Sequence, residues 1–150
     1  MTAASAKLRL LLPRSARPHP LESPREERHL LRSVSLLDAL DLELGSRTTG
    51  LPQRAPARRL TERPLISEIA YALWPYHLHW AIRTVVREDT HSEDRWTDTD
   101  WHQAATRALA AIGEQWIYST VLGSSRLLLV ACLRQGLRLA RDHRLIDLAS

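Results

Sequence analysis

The spacing of leucine and other apolar residues predicts a long amphipathic helix near the start of the chain. Apolar residues recur at a period close to 3.6 between Leu30 and Leu44, as they do on one face of a helix. Ser23 is placed to cap this helix, and Pro24 fits its first position. Gly45 is placed to end it. The pattern predicts a helix over residues 24–44 whose apolar face packs on the core or on a partner.

In the next segment, prolines interrupt the chain and the apolar positions change from a helical to an alternating pattern. Residues 50–57 predict a linker, and residues 64–73 predict a second, short helix that Pro75 stops. From residue 76 to residue 86 the apolar positions alternate, which predicts a strand. An acidic loop then leads to Thr97, a good helix cap, and a helix is expected from there to Gly113.

The last third of the chain predicts a β-hairpin followed by a helix. Residues 115–122 alternate and are rich in strand-forming residues, and a Gly-Ser-Ser turn separates them from an apolar run that begins at Arg126. Residues 134–144 suit a terminal helix. Periodicity alone leaves an alternative open, in which residues 127–139 form an amphipathic helix capped by Ser124 or Ser125.

The resulting order of elements, α, α, β, α, β, β, α, predicts an α+β fold. We expect a small antiparallel sheet with a β-α-β-β core, backed by helices, together with an N-terminal helix. Residues 23–150 are expected to form a single domain. Residues 1–22, which are basic and rich in proline, are expected to form a disordered arm, with an organellar transit peptide as the alternative.

The composition excludes some classes of protein but does not indicate a specific activity. Hydrophobic residues make up 44% of the chain, which excludes wholesale disorder, and no apolar stretch approaches the roughly 20 residues of a membrane span. The single cysteine, Cys132, lies in an apolar run, which favours a buried thiol and a reducing, cytoplasmic location. The net charge of +4 is concentrated before residue 65 and suits phosphate backbones, an anionic membrane surface or plain solvation.

Two histidines are candidate metal ligands. His77 and His79 flank Leu78, and residues i and i+2 of a strand point to the same face, so both imidazoles are placed to share a divalent ion. A third ligand would come from His91, His102 or a carboxylate of the acidic loop. The alternative is two partly exposed histidines on a strand.

Four arginines near the C-terminus are candidate ligands of nucleic acid. Arg134, Arg138 and Arg141 stand at i, i+4 and i+7, so a helix would display them together, and Arg126 adds to the same basic region. Such a row can follow a phosphate backbone. A solvated polar face is the alternative.

Several segments resemble the N-terminal part of plasmid relaxases of the actinobacterial type, which are mobilisation nucleases. The matching segments are residues 76–83, 87–89, 96–101 and 104–113, and the match continues through residues 115–121 and 126–136, where the family has its hairpin. The resemblance implies a metal that polarises the scissile phosphate and a tyrosine nucleophile, for which Tyr71, Tyr76 and Tyr118 are the phenols of this chain.

One departure from the family pattern bears on catalysis. The family carries a His-hydrophobic-His metal motif on the second hairpin strand, and Arg126 and Leu128 stand at those positions here. Loss of both ligands implies that DNA nicking is lost.

The sequence thus leaves three functional hypotheses. The first is a degenerate relaxase-like domain that binds single-stranded DNA during plasmid mobilisation, together with other transfer proteins. The tryptophans that would then stack on bases are Trp80, Trp96, Trp101 and Trp116. The second is a non-enzymatic helical protein-interaction module, with partner-facing helices at residues 30–44 and 127–139. The third is a reading frame without a selected function. A helical conformation of residues 126–133 would remove the hairpin, and with it the structural basis of the resemblance.

Overall fold

The computed structural model describes residues 24–51, 55–123 and 125–145. These ranges contain six helices and a two-stranded antiparallel sheet, so the fold is mainly helical. The helices are α1 (Pro24–Ser35), α2 (Leu42–Thr49), α3 (Ala55–Thr61), α4 (Trp80–Arg87), α5 (Asp98–Val121) and α6 (Arg126–Asp142), and the strands are β1 (Ile66–Glu68) and β2 (Tyr76–Leu78). The predicted arm over residues 1–22 and the cap at Ser23 lie outside the described residues.

The N-terminal helix begins at Pro24 as predicted, but the prediction that it runs to Leu44 is wrong. It ends at Ser35, and a turn separates α1 from α2. Within this turn the backbone of Leu40 pairs with that of Tyr76, with an N···O distance of 2.9 Å. The peptide groups of the turn therefore bond to distant parts of the chain, which a continuous helix would not allow.

The end of α2 also differs from the prediction. Gly45 lies inside α2, where an added Cβ would come within 2.8 Å of the side chain of Leu40. Gly50 ends the helix, since it adopts a left-handed conformation with φ at 68° and its N–H donates to the carbonyl of Arg47. The glycine at residue 45 serves close packing, and the one at residue 50 serves the turn.

The sheet lies where the sequence predicted a helix. Residues 64–73 were expected to be helical, but they contain β1, which pairs with β2 in antiparallel register, Ile66 opposite Leu78. The strand predicted over residues 76–86 is only three residues long, because α4 begins at Trp80. The small antiparallel sheet is therefore present, but it has two strands.

Helix α5 starts at its predicted cap. The Thr97 hydroxyl accepts a hydrogen bond from the Asp100 N–H, and the Asp100 carboxylate accepts from the Thr97 N–H at 2.7 Å, which forms a reciprocal capping box. Hydrogen bonds from the side chain and the backbone of Thr97 lower the pKa of Asp100 below its ordinary value. The local sequence is sufficient to place this helix start.

Replacing Thr97 by Ala is expected to lower the free energy of unfolding by about 1 kcal/mol, since the Asp100 N–H loses its acceptor. Chemical denaturation followed by circular dichroism measures the change. Thr97→Ser, which keeps the hydroxyl, is the control and should stay close to the original stability. An equal loss in both variants would contradict the capping role.

The predicted β-hairpin is wrong, and so is the β-α-β-β core that contained it. Helix α5 continues through Gly113 to Val121, and α6 occupies the residues assigned to the second hairpin strand. Ser125 caps α6 by accepting from the Leu127 N–H. Extending an existing helix across one glycine costs about 1 kcal/mol, whereas a separate hairpin would have to form without a sheet to join.

Nearly all buried apolar residues of the described ranges form one hydrophobic cluster, to which every helix from α1 to α6 and both strands contribute. Helices α5 and α6 pack against each other as an antiparallel pair on one side of the fold. Cys132 is 1% exposed on the inner side of α6, and burial raises the pKa of its thiol, so the predicted burial is confirmed. None of the helices in the described ranges has the length and apolar character to cross a membrane.

Candidate interaction surface

The two candidate metal ligands are not arranged as a strand would arrange them. His77 lies in β2, and its Nδ1 is 3.2 Å from the carbonyl oxygen of Asp38. His79 lies beyond the strand, where its Nδ1 accepts a hydrogen bond from the Ala81 N–H and caps α4. The prediction that the two imidazoles share a strand face is therefore wrong.

The described residues contain no group of three histidine, cysteine, aspartate or glutamate side chains placed to hold a metal ion. Of the two histidines proposed as a third ligand, His91 lies in the exposed loop before α5, and His102 lies on the exposed side of α5. A divalent metal cofactor stays a prediction from the sequence.

The four candidate arginines divide into two pairs. Arg138 donates to the carboxylate of Asp38 at 2.8 Å and also to the carbonyl of Leu36, so it holds α6 to the turn after α1. Arg141 pairs with the adjacent Asp142. Burial opposes ionisation of Asp142, but the hydrogen bond from Arg141 and the charges of Arg141 and Arg138 outweigh it and lower its pKa.

Arg126 and Arg134 form the other pair. Both are exposed, and neither makes an ion pair or a hydrogen bond with another side chain in the parts of the chain that the structure describes. They are therefore the two arginines of α6 that are available to a partner.

Most of the tryptophans proposed to stack on bases pack against other side chains of the fold. Trp96 and Trp101 meet edge to face with ring centroids 4.8 Å apart, and Trp116 packs on the core. Trp80 is exposed and stacks on His79. Of the four tryptophans predicted to stack on bases, Trp80 is thus the one whose ring is open to solvent.

A cavity of about 550 Å³ lies between the first turns of α1 and the start of α5. Its charged lining residues are three arginines and three carboxylates, so it has no excess charge with which to select an ionic ligand. The lining residues are Arg25, Glu26, His29, Arg32, Leu51, Asp94, Arg95, Trp96 and Asp100. Arg32 is already bonded to the Asp94 carbonyl and the Ser92 hydroxyl.

The most unusual surface is formed by large apolar side chains on α5, α6 and the turn between them. Eight such side chains are each more than half exposed, and we call them the α5–α6 apolar face. They are Ile117, Tyr118, Val121, Leu122, Leu127, Val130, Leu133 and Leu137. Single exposed apolar residues are ordinary in soluble proteins, whereas large groups of them are characteristic of surfaces that bind a partner.

The position of this face follows from the burial pattern of each helix. Ala108, Ile112 and Ser119 are buried on one side of α5, and Cys132 and Leu139 are buried on one side of α6. At 100° per residue, Ile117 and Val121 lie opposite these buried residues on α5, Tyr118 lies at the flank, and the exposed apolar side chains of α6 lie opposite its buried side. The two helices pack against each other and are joined by the short turn after Leu122, so the exposed apolar side chains lie on neighbouring helices and on the turn between them.

Comparison with protein-family models, with curated proteins and with solved structures finds no match to this chain.

The part of the face that lies on α6 could be predicted from the sequence. Residues 127–139 were recognised as a helix in the alternative interpretation, and Ser125 was named as one of its two candidate caps. Ile117, Tyr118 and Val121 were missed because their alternation favours a strand. A continuous reading of the helix past Gly113 would have placed them on one side of α5.

Proposed function

We propose that this chain is a non-enzymatic helical interaction module that binds an amphipathic helix of another protein along the α5–α6 apolar face. The observation that carries the proposal is the exposure of eight large apolar side chains on two adjacent helices and the turn between them. A folded domain gains from covering such a surface, since burial of each large apolar side chain is worth about 1.5–3 kcal/mol.

The shape of the face suits a helix. Two neighbouring antiparallel helices leave a shallow groove between them, and a third helix can place an apolar stripe into it. The exposed residues of α6 extend from Leu127 to Leu137, which is about 15 Å along the helix axis. A partner helix of about three turns would cover this length.

Single-stranded DNA binding by a degenerate relaxase stays a prediction. The hairpin that formed part of the resemblance is replaced by α5 and α6, and Arg138 is used within the fold. The interaction module, by contrast, draws on the helical interpretation of residues 126–133 that the structure bears out.

A synthetic peptide tests the proposed function without knowledge of the natural partner. The probe is a fluorescein-labelled helix with leucine along one face and glutamine on the others, titrated with the full chain and followed by anisotropy. Binding with a Kd in the micromolar range is expected, which corresponds to roughly 8 kcal/mol. The double variant Ile117→Gln and Val130→Gln should weaken it at least tenfold, because it replaces one exposed apolar side chain of the face on each helix by a polar one.

Leu73→Gln is the matched control, since Leu73 is also exposed but lies in the loop before β2. It should leave the affinity unchanged. Unaltered binding by the double variant would overturn the proposal, as would the absence of peptide binding. A labelled single DNA strand, tested at low and high salt, separates the two hypotheses: tight, salt-sensitive DNA binding without peptide binding would favour the relaxase-like domain.

A further inference from the structure

The charges of the apolar face point to the kind of helix that binds it. At 100° per residue, Arg126 and Arg134 fall within the same arc of about 120° as the exposed apolar residues of α6. The two arginines therefore stand among the apolar side chains of the face and would be covered together with them.

The face does not neutralise these two arginines. Asp142 is the one acidic residue of α6, and it is engaged by Arg138 and Arg141. Glu114, on the neighbouring part of α5, pairs with Arg47. Covering the face with a purely apolar or basic partner would leave two guanidinium groups desolvated and unpaired, which opposes binding.

Resting on the proposed function, we infer that the partner is an acidic amphipathic helix whose apolar stripe carries two carboxylates that pair with Arg126 and Arg134. The two arginines are eight residues apart, or about 12 Å along the axis of α6. Two carboxylates about two turns apart on the partner match this separation. Each can accept two parallel hydrogen bonds from a guanidinium group.

A second copy of this chain fits the charges less well. In a twofold contact between two such faces, one arginine row would meet the other, and Glu114 is already engaged by Arg47. A lipid surface also fits less well. Helices that lie in a membrane interface keep their cations on the polar side, whereas Arg126 and Arg134 lie within the apolar arc.

Three labelled peptides test the inference. They share one leucine stripe and differ at two positions eight residues apart, which carry glutamate, glutamine or lysine. The full chain should bind the glutamate peptide at least tenfold more tightly than the glutamine peptide and the lysine peptide most weakly. The difference should shrink at high salt, because the guanidinium–carboxylate pairs are screened.

Variants of the chain assign the effect to the two arginines. Arg126→Gln with Arg134→Gln should abolish the preference for glutamate while the glutamine peptide still binds, and Arg126→Glu with Arg134→Glu should reverse the order of the peptides. The matched control is Arg25→Glu with Arg95→Glu. Those two arginines are exposed and line the cavity near Asp100, about 27 Å along α5 from Tyr118.

The outcomes separate this inference from the proposed function. If all three peptides bind equally and the Ile117→Gln, Val130→Gln variant still weakens them, the interaction module stands and the acidic partner is wrong. If none of them binds, the proposed function itself fails. Displacement of the glutamate peptide by anionic vesicles, or a dimer in sedimentation that Ile117→Gln with Val130→Gln disrupts, would overturn the acidic helix as occupant.

Discussion

Replacing Leu139 by Ala is expected to lower the free energy of unfolding by about 2–5 kcal/mol, whereas Leu137→Ala should change it by less than about 0.5 kcal/mol. Leu139 is 0% exposed and lies in the hydrophobic core, while Leu137 is 59% exposed on the apolar face. The same truncation therefore leaves a cavity at one position and removes only a solvent-exposed side chain at the other.

The comparison also tests the secondary structure of this segment. Residues i and i+2 point to the same side of a strand but to nearly opposite sides of a helix. A strand would give Leu137→Ala and Leu139→Ala similar costs. Urea denaturation measures the difference in unfolding free energy between the two variants, provided that the slope of this free energy against urea concentration is unchanged. Equal losses in the two variants would contradict the helix.

Replacing Arg32 by Met is expected to lower the free energy of unfolding by about 3–5 kcal/mol. Arg32 is 3% exposed in α1 and reaches across to the loop before α5. Its guanidinium group donates to the Asp94 carbonyl at 2.8 Å and to the Ser92 hydroxyl at 2.9 Å, and it lies 3.5 Å from the Asp94 carboxylate. Methionine keeps much of the volume but leaves these buried acceptors without their donor.

Arg28→Met is the matched control for Arg32→Met. Arg28 pairs with the same carboxylate at 2.7 Å, but its side chain is 31% exposed, so water can replace its hydrogen bond. A smaller loss is expected. Equal losses in the two variants would show that burial of Arg32 does not set the cost.

The difference between the original chain and Arg32→Met should depend on pH. Burial opposes ionisation of Asp94, but the hydrogen bond from Arg28 and the charges of Arg32 and Arg28 outweigh it and lower the pKa of Asp94. A carboxylate with a lowered pKa stabilises the folded state above about pH 4, and this contribution is lost as the pH falls through its folded-state pKa. The stability difference should therefore shrink below about pH 4.

The starts of α1, α5 and α6 were the best predicted features of this fold, whereas those of α2, α3 and α4 were not predicted. Pro24 begins α1, and Thr97 caps α5 through the capping box with Asp100. Ser125, one of two candidate caps in the alternative interpretation, caps α6. In each case the signal is carried by residues within one helical turn of each other, so no distant contact is needed to express it.

Helix ends and the sheet were predicted poorly, because distant contacts decide them. The turn after α1 forms where the Gln135 side chain accepts from the Asp38 N–H at 2.6 Å and where Leu40 pairs with Tyr76. Gln135 is almost 100 residues away in sequence from Asp38. The apolar pattern of residues 24–44 cannot predict these long-range hydrogen bonds.

The apolar face likewise has features that the local sequence predicts and features that distant contacts decide. The sequence by itself determined that residues 127–139 are mostly apolar and that Arg126 and Arg134 belong to one basic region, and it left both a strand and an amphipathic helix open. It did not determine which apolar residues would be buried in the core, because a strand and a helix place the same residues on different faces. Only the tertiary structure decided this, by packing one side of α5 and α6 on the core and leaving Ile117, Val130 and Leu137 exposed on the other. The physical reason is that local bonding sets where a helix begins, while packing against distant residues sets how far it runs and which face it leaves to a partner.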